Sequence, residues 1–277
     1  MKVLVTGAGG AVGRRLVASL HNHGTNQVSA VLSPRAPQPY PGEFAVDVAD
    51  ATAFRAVLQK VRPDAVVHLA GLTGSACTDN PDRAAAVNTA STTTLVRAAD
   101  DFGIQRLVFA STSAVYGDAY SAPVDESGPC VPMSVYAHTK YAAELELVKA
   151  ESAQTVCLRV FNVFGPGLSG SLVNRLQAST ALDPVQLRGL DCFARDYIHV
   201  DDVVDALESA LVSTLPAQHF LANIGSGVAT SNRDLLARLA PAAHGSIVEP
   251  QDSYSCADIT AAGQWLGFHP TRRISTP

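Results

Sequence analysis

The sequence predicts an α/β fold, a doubly wound parallel sheet with a smaller, mixed C-terminal part. Three observations carry this expectation. Short runs that are apolar throughout, such as AVVHLA (65–70), alternate with segments whose apolar residues are spaced like one face of a helix, as in parallel sheets covered on both sides. The first run passes at once into a glycine-rich turn and then into such a helical segment. After FGPG (164–167) the alternation fades into loops and short strands.

The elements follow in order. KVLVT (2–6) is a strand, and 11–22 a helix with Val12, Leu16, Val17 and Leu20 on one face. VSAVL (28–32), FAV (44–46), AVVHLA, RLVFAS (106–111) and TVCLRV (155–160) are further strands, with helices over 51–61, 84–99 and 135–149 between them. These make a cofactor-binding domain over 1–164. Residues 165–277 form a smaller substrate-binding region, with the strand DYIHV and helices near 201–213 and 231–239, and some of its strands and helices can return to the first domain. SPRAPQPYPG (33–42) reads as a long loop.

Composition narrows the partners. With 277 residues, 47% hydrophobic and 16% charged, the chain can bury a full core. A net charge of −5 gives no electrostatic reason to bind nucleic acid or an anionic membrane, so a small-molecule partner is expected. Five cysteines, scattered singly, lack the spacing of a zinc site or disulfide framework and read as reduced thiols. No metal is expected. No apolar run approaches the ~20 residues that span a bilayer, and no charged leader with a cleavage site opens the chain. A cytoplasmic protein is expected.

Between the first strand and helix, small residues let the backbone approach a pyrophosphate, whose charge meets the helix N-terminus. Gly7, Gly10 and Gly13 fit GxxGxxG, with Val12 where GxGxxG would want a small residue, so Gly7, Gly10, Ala11, Val12 and Gly13 are the expected cradle of a Rossmann-type NAD(P) domain. At the end of the second strand Ser33 stands where a carboxylate would hold the ribose 2′-OH, and Arg35 offers donors to a 2′-phosphate. This favours NADP(H) over NAD(H).

YAHTK puts Tyr136 and Lys140 four apart on one helical face. A phenol of reference pKa ~10 needs a nearby cation to work as a base at neutral pH, and Lys140 would be that cation. STSAVYG (111–117) ends an apolar strand, where ligands sit beside a parallel sheet. With TGAGGAVG, DVAD (47–50), HLAG (68–71), LRVFNVFGPG, RDYIHVDDV, NIGSG and LGFHP, the chain resembles the extended short-chain dehydrogenase/reductases, a family of nucleotide-sugar epimerases, dehydratases and ketoreductases.

The resemblance implies that Thr112 shares the substrate oxygen with Tyr136 and that Lys140 also binds the nicotinamide ribose. It makes Asp47 and Val48 adenine contacts and runs Leu69, Ala70 and Gly71 under the dinucleotide. Asn88 supports the site, Asn162 and Arg195 bind a nucleotide diphosphate, and two chains form a homodimer. His68 and His199 read as structural, with Asp201 or Asp202 capping the next helix. Ser113 and Ala114 replace the Asp-Glu pair of the dehydratases, which removes the acid and base for dehydration. The NADP preference then selects a ketoreductase of a nucleotide-activated deoxy-sugar. The alternatives are a nucleotide-sugar 4-epimerase with the same triad, a reductase of a non-sugar metabolite, or a non-catalytic cofactor-binding module. Glu249 stands where the family commonly has an arginine on the diphosphate, so either Arg175 or Arg188 compensates or the substrate carries no nucleotide.

Overall fold

The apolar runs become strands β1 (Lys2–Thr6), β2 (Gln27–Leu32), β3 (Glu43–Ala45), β4 (Ala65–His68), β5 (Arg106–Thr112) and β6 (Gln154–Val160). The computed structural model describes residues 1–24, 26–35, 43–118, 120–180, 183–239, 244–247 and 252–274. Strands β7 (Asn162–Phe164), β8 (Val185–Arg188), β9 (Phe193–His199), β10 (His219–Ile224), β11 (Ala229–Ser231), β12 (His244–Ile247) and β13 (Ser253–Ser255) follow. The helices are α1 (Ala11–Asn22), α2 (Ala51–Val61), α3 (Ser75–Asp79), α4 (Pro81–Ala85), α5 (Ser91–Phe102), α6 (Val135–Leu147), α7 (Leu172–Ala178), α8 (Val200–Val212), α9 (Asn232–Leu239) and α10 (Thr260–Leu266).

Seven strands pair in the order β10-β6-β5-β4-β1-β2-β3, all parallel, as a Rossmann-type sheet. Alternate side chains point to opposite faces, and both faces are covered, which is why whole strands are apolar. Val3, Val5, Val67 and Val156 pack under Leu16 and Leu20 of α1 and Val203 and Leu207 of α8. On the other face Leu4, Val66 and Leu107 meet Phe54 and Leu58 of α2, Leu95 of α5 and Leu147 of α6. The strand order reverses at β1, so a crevice opens at the carboxyl ends of β1 and β4.

Two local expectations are corrected. The helix expected over 84–99 is interrupted: Asn80 caps α4 by accepting the Arg83 N–H at 3.0 Å, and a π-helical turn, Ala86–Ala90, joins α4 to α5. The cap of α8 is not the expected aspartate. Instead the His199 imidazole accepts the Asp201 N–H at 3.2 Å, while buried Asp202 holds the backbone and guanidinium of Arg272.

The smaller sheet is built on β9, which pairs antiparallel with β11 and parallel with β7 and β13. A separate parallel pair joins β12 to β8. Among the described residues, no helix is long and apolar enough to cross a membrane.

Candidate active site

At the carboxyl end of β1 the chain turns on glycines for steric reasons. Gly7 has φ +66°, and a Cβ there would sit 2.7 Å from the Leu69–Ala70 backbone. A Cβ on Gly13 would collide with the Gly7 carbonyl oxygen. Gly10 leads into α1 without any side-chain cap, so the first amides of a twelve-residue helix are left to the crevice. Ala11 and Val12 open that helix, Val12 packing on the core, and a Cβ on Gly167 would be 3.3 Å from the Ala11 Cβ. This cradle, closed by the FGPG loop, fits a dinucleotide pyrophosphate.

Beneath the turn runs a chain of hydrogen bonds. The Ala70 N–H donates to Thr6 Oγ1 at 3.2 Å, Thr6 Oγ1 lies 2.8 Å from His68 Nδ1, and His68 Nε2 lies 3.0 Å from Ser91 Oγ. Ser91 in turn donates to the Val87 carbonyl at 2.5 Å, so every direction is consistent with an imidazole protonated on Nε2 alone. Burial, helped by the Lys140 charge, pushes His68 down to about 3 and keeps it neutral. Asn88, on the π-helical turn, accepts the Leu72 N–H at 2.8 Å and donates to Leu72 O and Thr139 Oγ1. It ties Leu72, just after the segment Leu69, Ala70, Gly71, to Thr139 of α6.

Farther out, Asp47 accepts the Ala49 N–H and both carboxylate oxygens take the Arg83 guanidinium at 2.8 and 2.7 Å. Arg83 first, with Arg35 also contributing, holds the carboxyl below its ordinary range. Val48 beside it is buried, and Ser33 and Arg35 are exposed.

Two helical turns and one strand end bring the acid–base groups together. Side chains alternate at the end of β5: Ser111 donates to Glu144, within a buried pair whose Arg159 Nη2 lies 2.7 Å from Glu144 Oε2. Thr112 points the other way, capping the next turn through the Ala114 N–H and hydrogen-bonding the Tyr136 side chain. Ser134 caps α6 by accepting the Ala137 N–H at 3.1 Å, which sets Tyr136 in the first turn and Lys140 one turn on. Burial pushes the Tyr136 phenol up, and the Thr112 hydrogen bond opposes it. Lys140 is 4% exposed, its Nζ 3.9 Å from the centre of the Phe109 ring, and burial pushes it down to about 8. In this structure the Lys140 Nζ lies over the Phe109 ring, and desolvation is the largest influence on the Tyr136 phenol.

The predicted substrate residues meet elsewhere. Asn162 and Arg195 line one cavity of about 320 Å³ with Ser171, Leu172, Tyr197 and Asn232. Asn162 donates to the Asp196 carbonyl at 3.0 Å. Arg195 donates to the Ala194 and Ser253 carbonyls and to Ser253 Oγ, and Asp118 lies 3.5 Å away. Arg175 lines a different cavity, and Glu249 lies outside the described residues.

A family model described as the NAD dependent epimerase/dehydratase family matches residues 3–225. The chain belongs to that family. A UDP-glucose 4-epimerase of Mycolicibacterium smegmatis is 32% identical, over 98% of this chain and 94% of its own. The solved structure of MoeE5 in complex with UDP-glucuronic acid and NAD has 32% identity and a TM-score of 0.85, covering 99% of this chain and 95% of that one. The UDP-glucose 4-epimerase of Thermus thermophilus, in complex with NAD, has 28% identity and a TM-score of 0.82, with 99% and 95% coverage.

As a member of the epimerase/dehydratase family the chain is an enzyme. The preference for NADP drawn from Ser33 and Arg35 finds no support: these neighbours hold NAD, and the Arg35 charge falls on Asp47. Epimerases among the relatives also favour the epimerase alternative over the ketoreductase. Ser91, Glu144 and Asn232 escape a motif search, whereas Thr6, Thr139 and Arg159 lie inside TGAGGAVG, YAHTK and LRVFNVFGPG with no role of their own read there. The one available signal is a polar residue inside an otherwise apolar element.

Proposed function

We propose that this chain is an NAD-dependent 4-epimerase of a nucleotide sugar of the UDP-glucose type. The observation that carries the reading is the Thr112–Tyr136 pair one helical turn from Lys140, on a sheet whose first turn admits no Cβ at Gly7 or Gly13, in a chain whose relatives are named UDP-glucose 4-epimerases. Residues 1–164 hold the dinucleotide, with Gly7, Gly10, Ala11, Val12 and Gly13 at the pyrophosphate and Asp47 and Val48 at the adenine. Residues 165–277 supply most of the nucleotide cavity.

NAD, when bound, supplies reversible hydride transfer at the sugar carbon. Tyr136 takes the proton from the hydroxyl on that carbon and gives it back, with Thr112 sharing the oxygen and orienting it. Lys140 holds the nicotinamide ribose and, when charged, lowers the cost of a Tyr136 phenolate. Asn162 and Arg195 anchor the diphosphate. Inversion requires the sugar to present its other face while the nucleotide stays, so anchorage away from the sugar suits the reaction. The Ser113–Ala114 pair supplies no acid or base for dehydration.

The test is turnover of UDP-glucose by the purified chain with catalytic NAD. Conversion to the 4-epimer without net change in cofactor absorbance is expected. Stoichiometric oxidation of NADPH by a keto-sugar, with no epimer formed, would replace this reading with the reductase.

A further inference from the structure

Ser111 and Thr112 are successive residues at the end of β5, and both are bonded to α6. Thr112 hydrogen-bonds the Tyr136 side chain. Ser111 points to the other face of the sheet, is 4% exposed, and donates its hydroxyl to Glu144 Oε1. Tyr136, Lys140 and Glu144 follow at intervals of four along one stripe of the helix, so Glu144 stands ~12 Å down the axis from Tyr136. Two successive strand residues are therefore gripped from two levels of the same helix.

Glu144 does not need Ser111 to compensate its charge. Register sets Ser111 opposite Arg159 on β6, and the guanidinium already meets the buried carboxylate, with Nε 3.1 Å from Oε1 and 3.2 Å from Oε2 and Nη2 2.7 Å from Oε2. The guanidinium carbon lies 4.6 Å from the centre of the Tyr116 ring, and the Tyr116 hydroxyl donates to Asn223 Oδ1 of β10 at 2.8 Å. The carboxylate is thus fixed through β6 and β10 whether or not residue 111 carries a hydroxyl. What that hydroxyl adds is a tie from a fixed point to the residue preceding Thr112. One peptide unit, ~3.8 Å between Cα atoms, separates the tie from the Thr112–Tyr136 pair.

Sharing one substrate oxygen between Thr112 and Tyr136 demands that the strand end hold still against the helix, and a misplacement of about 1 Å can cost about 10²-fold in rate. We infer that Ser111, held by Glu144, is a positioning residue that sets the Thr112 hydroxyl against the Tyr136 phenol. The inference rests on the proposed epimerase reading, in which those two groups share the sugar oxygen.

The test is a double-mutant cycle on the full chain with NAD and UDP-glucose, using Ser111→Ala, Thr112→Ala and the two together. Ser111→Ala removes one oxygen and leaves Glu144 paired with Arg159, so the buried charge stays compensated. Its kcat is expected to fall roughly 10- to 100-fold with KM for UDP-glucose unchanged, and Thr112→Ala to lose at least as much. The double variant should be no slower than Thr112→Ala alone, since a residue that acts through Thr112 then has nothing left to position. Calorimetry should give Ser111→Ala the wild-type affinity for NAD and for UDP. Losses that multiply in the double variant, or an unchanged kcat in either single variant, overturn the inference and leave the epimerase reading standing. A Ser111→Ala protein that loses affinity for NAD and UDP, or fails to fold, makes the serine structural and also overturns it. A wild type that does not epimerise UDP-glucose overturns both.

Discussion

The strand-end cluster and the cavity on β9 handle charge in opposite ways. Lys140 and Tyr136 are withdrawn from water, and burial disfavours the charged form of each, pushing the lysine down and the phenol up. Arg195 instead sets its guanidinium among two carbonyls and the Ser253 hydroxyl, with Asp118 at the rim. A lysine pushed down toward neutrality can gain and lose a proton beside the phenol, whereas a guanidinium held among acceptors recognises an anion. The first region should therefore govern kcat and the second KM.

The largest effect expected is that of Tyr136→Phe. Removing the proton donor should lower kcat by about 10³-fold, within the range of general acid–base catalysis, and leave KM nearly unchanged. A variant retaining a tenth of wild-type kcat would break the division of labour. Next comes Arg195→Ala, for which steady-state kinetics should show KM for the nucleotide sugar raised roughly 10- to 100-fold by loss of charge-assisted hydrogen bonds, with kcat within about twofold. A loss confined to kcat would place the diphosphate elsewhere.

Stability offers a third test, independent of substrate. Lys140 sits at about 8 in the fold against an ordinary 10.5, so between these values the unfolded chain holds a proton that the folded chain lacks. Unfolding free energy therefore rises with pH across that window, by up to about 3 kcal/mol, and the full penalty of the buried charge persists below it. Melting of the NAD-free protein from pH 7.5 to 10.5, compared with Lys140→Met, should show wild type gaining on the variant. A constant difference would mean the ammonium is effectively solvated.

The smallest effect belongs to Asp118→Asn. This carboxylate lies 3.5 Å from Arg195 with its side chain 56% exposed, so UDP should bind only a few-fold tighter to the variant. Weaker binding would show that Asp118 positions the guanidinium and does not compete for it.

The two regions also differ in how far the sequence exposes them. Strands β1, β4, β5 and β6 are buried on both faces, so they read directly as apolar runs, and the helices between them keep a helical period. The glycines at 7, 10 and 13 and the pair Tyr136 and Lys140 lie at fixed local spacings. In contrast, β7, β11 and β13 have three residues each, too few for any period, and they exist because β9 pairs with them. β10 follows β7, β8, β9 and α8 in the chain, yet it returns to pair with β6 at the edge of the large sheet, a long-range choice that no local window reveals. The cofactor preference fails for a related reason. Read along the chain, Arg35 has only an imagined phosphate to meet, while the fold brings Asp47 and Arg83 to the same place from distant segments.

The buried Glu144–Arg159 pair has a consequence for recombination. Glu144 is one turn beyond Lys140 on α6, and Arg159 belongs to β6, so the helix cannot slide along the sheet without stranding a charge in the interior. Hybrid enzymes made by exchanging α6 between relatives should work only when the arginine on the neighbouring strand travels with it. The acid–base helix and the strand beneath it should exchange only as one part.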